Sequence, residues 1–405
     1  MAPAVHELDL PELDVFGLDR EDALAAFEAA SRTHWLARTP LGFTVTRYDD
    51  VVAILRDRRF HSALSMLPQM SGYDESPLER RQPSILAMEG AEHTRLRRLV
   101  ASSFTPKSAD RLRPFMRDVV GRLVDGVAST GRCEFVEDIC EPYPIPIICE
   151  LLGAPKEDWR LFSRWASDIF RIFNGDFAND APAIRTAAAE LDDYVRAMVG
   201  ERRSRPADDL LSDLIAAEEA GDRLSTDELV MMTEAVLMAG TDTTRNQLAC
   251  SVALFAEHPD QWALLAERPD LAPRAVEESM RYLGAVRGTA RFASEDVEYR
   301  DVLFPAGTLV ATSLAAANFD PALWPQPRRF DITREASSSP QMTFGSGIHY
   351  CLGASLARAE LQEALTVLAA RLPELALDRP VQWKPPNVGI WGPARLPITF
   401  AVVAA

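Results

Sequence analysis

Residues 344 to 353 read Phe344-Gly345-Ser346-Gly347-Ile348-His349-Tyr350-Cys351-Leu352-Gly353. One thiol lies among three glycines, with aromatics beside it. A helix is expected from Leu352 to about Leu372, because apolar residues recur there at three and four. Cys351 then sits at a helix start, where the dipole and unpaired N–H groups are expected to lower a thiol pKa. Gly345, Gly347 and Gly353 keep side chains away, so a flat ligand can approach the backbone. Free N–H groups near the sulfur can tune a metal that it holds. A single thiolate beside a planar apolar surface suits haem iron. A buried structural cysteine is the plainer reading, but it leaves the three glycines and the aromatic unexplained.

A second polar group interrupts an apolar run. Ser225-Thr226-Asp227-Glu228 is a capping box, and the periodic pattern continues to about Glu257, before Pro259. One helix of roughly 50 Å is expected, long enough to cross a domain. At its middle stand Ala239-Gly240-Thr241-Asp242-Thr243-Thr244. A glycine inside a helix costs about 1 kcal/mol relative to alanine. Buried Asp and Thr need partners. Rules broken at one place in a consistent helix point to a functional site, while a glycine-induced kink with a surface-facing polar stripe is the plainer reading.

The elements that must position these groups are mostly helical. Periodic segments run over Ala91 to Phe104, Ala109 to Ala128, Lys156 to Phe173, Ala183 to Arg203 and Arg274 to Leu283. Short strand patterns fall at Phe43–Thr46, Thr308–Thr312 and Ile398–Val402. Leu67 to Gly90 and Asn318 to Gly347 are rich in Pro and Gly and read as coil. The chain has 405 residues, 43 Lys+Arg against 60 Asp+Glu, and a net charge of −17. An acidic chain of this kind argues against nucleic acid and anionic membrane as main partners. No apolar run reaches the length of a membrane span. The N-terminal residues do not read as a secretory signal. Five cysteines, none in a CxxC pair, argue against structural zinc and a disulfide framework. A reducing cytoplasm is the expected location.

With these motifs in view, the sequence resembles the soluble bacterial cytochrome P450 family over nearly all of its length. Phe344, Gly347, Cys351 and Gly353 match that family's haem signature, F-x-x-G-x-x-x-C-x-G. Ala239 to Thr243 match its oxygen-activation motif, and Glu278-Ser279-Met280-Arg281 match E-x-x-R. Pro327-Arg328-Arg329-Phe330 match P-x-R-F, and His93-Thr94-Arg95-Leu96-Arg97 resemble its haem-propionate helix. The resemblance implies a single triangular domain over residues 1–405, mainly α with a smaller β-rich part (α+β). Haem b is then expected between the long central helix and the cysteine helix.

The resemblance also implies roles. Cys351 is the expected axial thiolate, with Phe344 packed beside it. Asp242 and Thr243 resemble the acid–alcohol pair that delivers protons to dioxygen. Gly240 is expected to leave room for dioxygen. Arg97, Arg291, His349 and His93 are expected at the haem propionates, with Gly345, Gly353 and Ala239 bordering the haem. Glu278, Arg281 and Arg329 are expected to form a structural triad. The implied reaction is monooxygenation, hydroxylation or epoxidation, of an apolar small molecule: a steroid, terpenoid, fatty acid or macrolide-type product. A peroxygenase using H2O2, or a non-catalytic haem protein, is the alternative.

Met238, Ala239, Thr289, Leu67 and Phe173 are expected to line the substrate pocket. Arg287 is expected either to face the substrate or to turn to solvent. Seven basic residues between Thr94 and Arg117, against one acid, reverse the chain's overall charge locally. They suggest a docking face for an acidic ferredoxin. Only residues 352–405 follow Cys351, so no fused reductase is expected on that side, and electrons should come from a ferredoxin and its reductase. A monomer is expected. One departure from the family pattern stands out: Glu89-Gly90-Ala91 replaces the common Asp-Pro-Pro before the propionate helix.

Overall fold

A computed structural model describes residues 2–15, 17–66, 84–174, 176–219, 224–335, 339–385 and 389–402. The elements that build the site are, in chain order, strands β1 (Leu36–Thr39), β2 (Gly42–Val45) and β3 (Phe60–Ser62), then helices α1 (Gly90–Val100), α2 (Pro106–Val127), α3 (Pro144–Leu152), α4 (Trp159–Ile169) and α5 (Phe177–Ser204). They continue with α6 (Thr226–Ala239), α7 (Asp242–Glu257), α8 (Ala272–Tyr282), β4 (Gly288–Ala293), β5 (Leu309–Ser313) and α9 (Ala354–Arg371). Helices dominate, as the periodicity predicts.

The described apolar side chains fall into two main clusters. The larger one packs α2, α3, α6, α7 and α9 around residues such as Met116, Ile148, Leu237, Phe255 and Leu365. The smaller one lies under a five-stranded sheet of order β1-β2-β5-β4-β3, around Leu36, Val51, Phe304 and Val310. Only β2 and β5 pair in parallel; the other neighbours are antiparallel. The β3–β4 register sets Ser62 opposite Arg291. That pairing carries a cation from the sheet toward the helical half.

The capping box forms as expected. Ser225 Oγ accepts from Glu228 N at 3.3 Å, and Ser225 N donates to Glu228 Oε2 at 2.8 Å. Such a cap is worth about 1 kcal/mol. The single long helix expected to follow is divided, however, into α6 and α7 at Gly240-Thr241. Side chains take up carbonyls at the break. Thr241 Oγ1 donates to Met238 O at 2.8 Å, Thr243 Oγ1 to Ala239 O at 3.0 Å, and Asn246 Nδ2 to Asp242 O at 2.7 Å. Short polar side chains compete with the backbone ladder in this way, and the helix bends where they do.

Gly240 itself has a packing reason. A Cβ there would lie 2.6 Å from the Ile148 side chain of α3. The missing side chain faces a neighbouring helix, a packing role beside the expected one of leaving room for dioxygen.

Candidate functional site

The cysteine loop leads into α9. Cys351 N donates to Phe344 O at 2.9 Å, closing the loop. Gly347, at φ +73°, passes so close to Leu55 O that a Cβ would lie 2.0 Å from it, which only glycine permits. By contrast, a Cβ at Gly345 or Gly353 would meet nothing within 4 Å. Open space lies over both. Arg358 of α9 stacks over the Phe344 ring at 4.5 Å and donates to Glu277 Oε1 at 2.6 Å.

The expectation of a lowered Cys351 pKa is corrected. Helix α9 begins only at Ala354, three residues on. Burial pushes the thiol up, and the Gly353 N–H, Arg97 and Arg358 offset this only in part.

Beside the thiol lies a set of buried cations and imidazoles. Helix α1 contributes His93, 2% exposed, and Arg97; β4 contributes Arg291, 5% exposed; the cysteine loop contributes His349. Among the described residues neither Arg97 nor Arg291 pairs with a carboxylate. Arg97 donates to Tyr350 O. Arg291 Nη1 donates to Thr289 Oγ1 at 3.1 Å and Ala290 O at 2.9 Å. Burial depresses both guanidinium pKa values. His93 and His349 face each other with ring centroids 4.7 Å apart. Burial, with His349 and Arg97 nearby, pulls His93 down to about 4. His349 Nε2 meets Glu89 Oε1 at 3.1 Å, while its Nδ1 is buried with no partner. A buried polar atom without a partner costs about 1–3 kcal/mol. The arrangement calls for anions.

The helix break exposes two residues. Ala239 is exposed and Thr243 half-exposed, one turn apart, while Met238, Thr241, Asp242 and Thr244 are buried. Met238 belongs to the helical core, so of the two residues expected to border the pocket only Ala239 faces open space. Asp242 pairs with Arg245. Arg245 in turn donates to Ser163 Oγ at 3.2 Å and Ser167 Oγ at 2.9 Å on α4.

Sequence reasoning missed Glu360. It projects from α9 toward Thr244, 1% exposed, and burial raises its pKa to about 8 against the Thr244 hydroxyl bond. Its Oε1 has no partner. The available signal was a carboxylate on a helix face shared with Leu356, Ala359 and Ala364.

The wall expected to meet substrate is partly assembled. Arg287 is half-buried, with its guanidinium 4.8 Å above the Trp391 ring. It does not turn to solvent. Trp391 stacks on Trp383 at 4.5 Å, and neither tryptophan was anticipated. Phe173 lies against Gly389, whose Cβ would sit 2.2 Å from the Phe173 Cβ. The Thr289 hydroxyl is taken by Arg291. Leu67 lies outside the described residues.

The structural triad forms with a different third member. Arg281 Nε and Nη2 reach Glu278 at 2.8 and 2.9 Å. Arg334 Nε, not Arg329, completes it at 3.1 and 3.2 Å. Arg329 pairs with Asp331 at 3.3 Å with its side chain 65% exposed, and offers the triad only its carbonyl. The turn through Asp331 folds Arg334 back over Glu278.

These residues fit haem b. A thiol is set beside open backbone at Gly345 and Gly353, Ala239 and Thr243 are accessible at the helix break, and a cluster of cations and imidazoles holds an orphaned His349 Nδ1.

Comparison with known proteins agrees. The cytochrome P450 family model matches residues 156–372. The luteothin monooxygenase of Streptomyces thioluteus is 37% identical over 97% of this chain and 96% of its own length. The mycinamicin IV hydroxylase/epoxidase of Micromonospora griseorubida is 38% identical over 96% and 98%. The crystal structure of CalO2 superposes with a TM-score of 0.87 at 32% identity, covering 94% of this chain and 96% of that one.

Proposed function

The chain belongs to the cytochrome P450 family and is a haem-dependent monooxygenase, and we propose that it hydroxylates or epoxidises a largely apolar natural product of macrolide or similar size. The balance is RH + O2 + two electrons + two protons, giving ROH and water. The observation that carries the reading is the Cys351 loop set beside Arg97 and Arg291, whose described hydrogen bonds go to carbonyls and a hydroxyl and to no carboxylate. The named activities of the luteothin and mycinamicin enzymes support the substrate class.

Bound haem supplies the iron at which dioxygen is activated. Cys351 would hold that iron, and Arg97, Arg291, His93 and His349 would hold the propionates. Thr243 would give a proton on the open side of the helix break. Its hydroxyl is now spent on Ala239 O at 3.0 Å, a bond that one χ1 rotation releases. Asp242 stands behind it with its side chain 6% exposed, and Arg245 links it toward α4. To pass a proton inward, the Asp242 carboxylate would take it up and release Arg245 as its own charge is neutralised. Both cores contribute to the cradle, α1 from one and β4 from the other, so the proposed catalytic unit is one domain.

Electrons would come from a separate acidic ferredoxin and its reductase. The basic stretch supports this only in part. Arg95 pairs with Glu228, and Arg113 and Arg117 pair with Glu363. Arg98, Lys107 and Arg111 are exposed and remain to steer a partner. A cytoplasmic monomer is the proposed state. No described helix is long and apolar enough to cross a membrane.

The test is an absorption titration of the ferric protein with macrolides, steroids, terpenoids and fatty acids. A saturable low-to-high-spin shift with macrolide-type ligands is expected. A shift confined to fatty acids would overturn the substrate class.

A further inference from the structure

Glu89 is the N-cap residue of α1, yet its side chain makes no cap hydrogen bond. A shorter Asp there would suit capping. The following Gly90 takes φ +64°, which turns the chain, and the longer Glu89 side chain reaches into the cradle instead. There Oε1 accepts from Ser62 N at 2.7 Å and meets His349 Nε2 at 3.1 Å. One carboxylate thus ties together strand β3, helix α1 and the cysteine loop. Ser62 is the register partner of Arg291, so Glu89 also stands close to that cation. The Glu89 side chain is 16% exposed and that of His349 10%. Burial opposes its charge, but His349, the Ser62 N–H and His61 outweigh this and hold its carboxyl below the ordinary range.

We propose that Glu89 is a resident anion and positioning residue of the haem-propionate cradle, fixing the His349 ring and lowering the haem's reduction potential. The physical reasons are separate. Held at Nε2, the ring keeps a buried Nδ1 without a protein partner, and that nitrogen donates to a propionate only when both ring nitrogens are protonated. A fixed negative charge near the haem edge favours the ferric over the ferrous state, because the ferric centre carries one more positive charge. The inference rests on the assignment of Arg291 and His349 to the propionates.

Two variants separate charge from reach. Glu89→Gln keeps an acceptor at the same distance and removes the charge. Glu89→Asp keeps the charge and cannot span to His349. The midpoint potential is measured by spectroelectrochemical titration of each holoprotein, and haem retention by transfer to apomyoglobin. Glu89→Gln should move the potential positive. Glu89→Asp should release haem about ten-fold faster, the loss expected for one hydrogen bond to a charged group, with a potential nearer that of the wild type. An unchanged potential in Glu89→Gln overturns the charge role. An unchanged release rate in Glu89→Asp overturns the positioning role, and this remains measurable if Glu89→Gln cannot be loaded. Arg291→Met serves as control. If it also leaves haem release unchanged, the cradle assignment fails; if it accelerates release while both Glu89 variants behave as wild type, only the Glu89 inference fails.

Discussion

The Glu278 triad and the propionate cradle bury the same kinds of side chain to opposite effect. In the triad, Arg281 and Arg334 converge on Glu278, and Arg281 spends a further nitrogen on Asn318 O and Pro327 O at 3.0 and 2.9 Å. Every charge there has a counter-charge. In the cradle, Arg97 and Arg291 make no ion pair among the described residues, Glu89 is the one carboxylate acting on Arg291 from nearby, and His349 Nδ1 has no partner. Burial of a charge costs several kcal/mol unless it is paired. A closed network accordingly reads as structure and an open one as a place for a ligand. Glu360 shows a third solution: a buried acid without a cation that stays protonated, its pKa raised to about 8.

The contrast can be broken at its strong end first. Arg281→Ala leaves Glu278 with Arg334 alone and removes the donor to Asn318 O and Pro327 O, and a loss of about 3 kcal/mol is expected in denaturant unfolding. Arg281→Ala that unfolds like wild type would remove the triad's structural role.

Glu360 sharpens the comparison through pH. Its folded pKa lies above its unfolded value of 4.5. The folded state therefore binds more protons between these values, and stability from this group falls as pH rises from about 4.5 to about 8, then levels off. Glu360→Gln removes that dependence. Relative to wild type it should gain on the order of 2–4 kcal/mol between pH 5 and pH 8.5. A difference that is constant with pH would show that Glu360 is ionised in the fold.

Arg291→Met tests the open network directly. In haem-free protein, loss of a buried unpaired cation should be neutral or stabilising by about 1 kcal/mol. In the haem-loaded protein the same change should speed haem release. The smallest effect belongs to Arg329→Ala, within about 0.5 kcal/mol of wild type, as for other exposed side chains. A large loss there, measured by thermal unfolding, would restore Arg329 to the triad.

Much of this was legible in the sequence, for physical reasons. The cysteine segment combined a soft ligand with glycines of two kinds: Gly347 makes a close backbone approach to Leu55, whereas Gly345 and Gly353 border open space. Helix limits followed from periodicity, and the Ser225 cap from its spacing to Glu228. The helix break at Gly240 was legible only as the plainer alternative, a glycine kink in one long helix. It depends on which of Thr241, Thr243 and Asn246 turn back onto the backbone, a local competition that composition does not settle. Nor could spacing choose between Arg329 and Arg334, because both leave the same coil and only the turn at Asp331 decides which returns to Glu278. Trp391 reaches Arg287 by tertiary contact between residues far apart in the chain. Glu360 was visible as a carboxylate on an apolar face, but its neighbour Thr244 lies on another helix.

The most direct measurement compares haem with haem dimethyl ester, in which both propionates are neutral. Apoprotein is titrated with each, following the Soret band, for wild type and Arg291→Met. The wild type should bind haem at least about ten-fold more tightly than the ester, as expected for hydrogen bonds to charged groups, and Arg291→Met should lose most of that preference. Equal binding of the two by the wild type would contradict the reading of this open network as the anion seat of the haem.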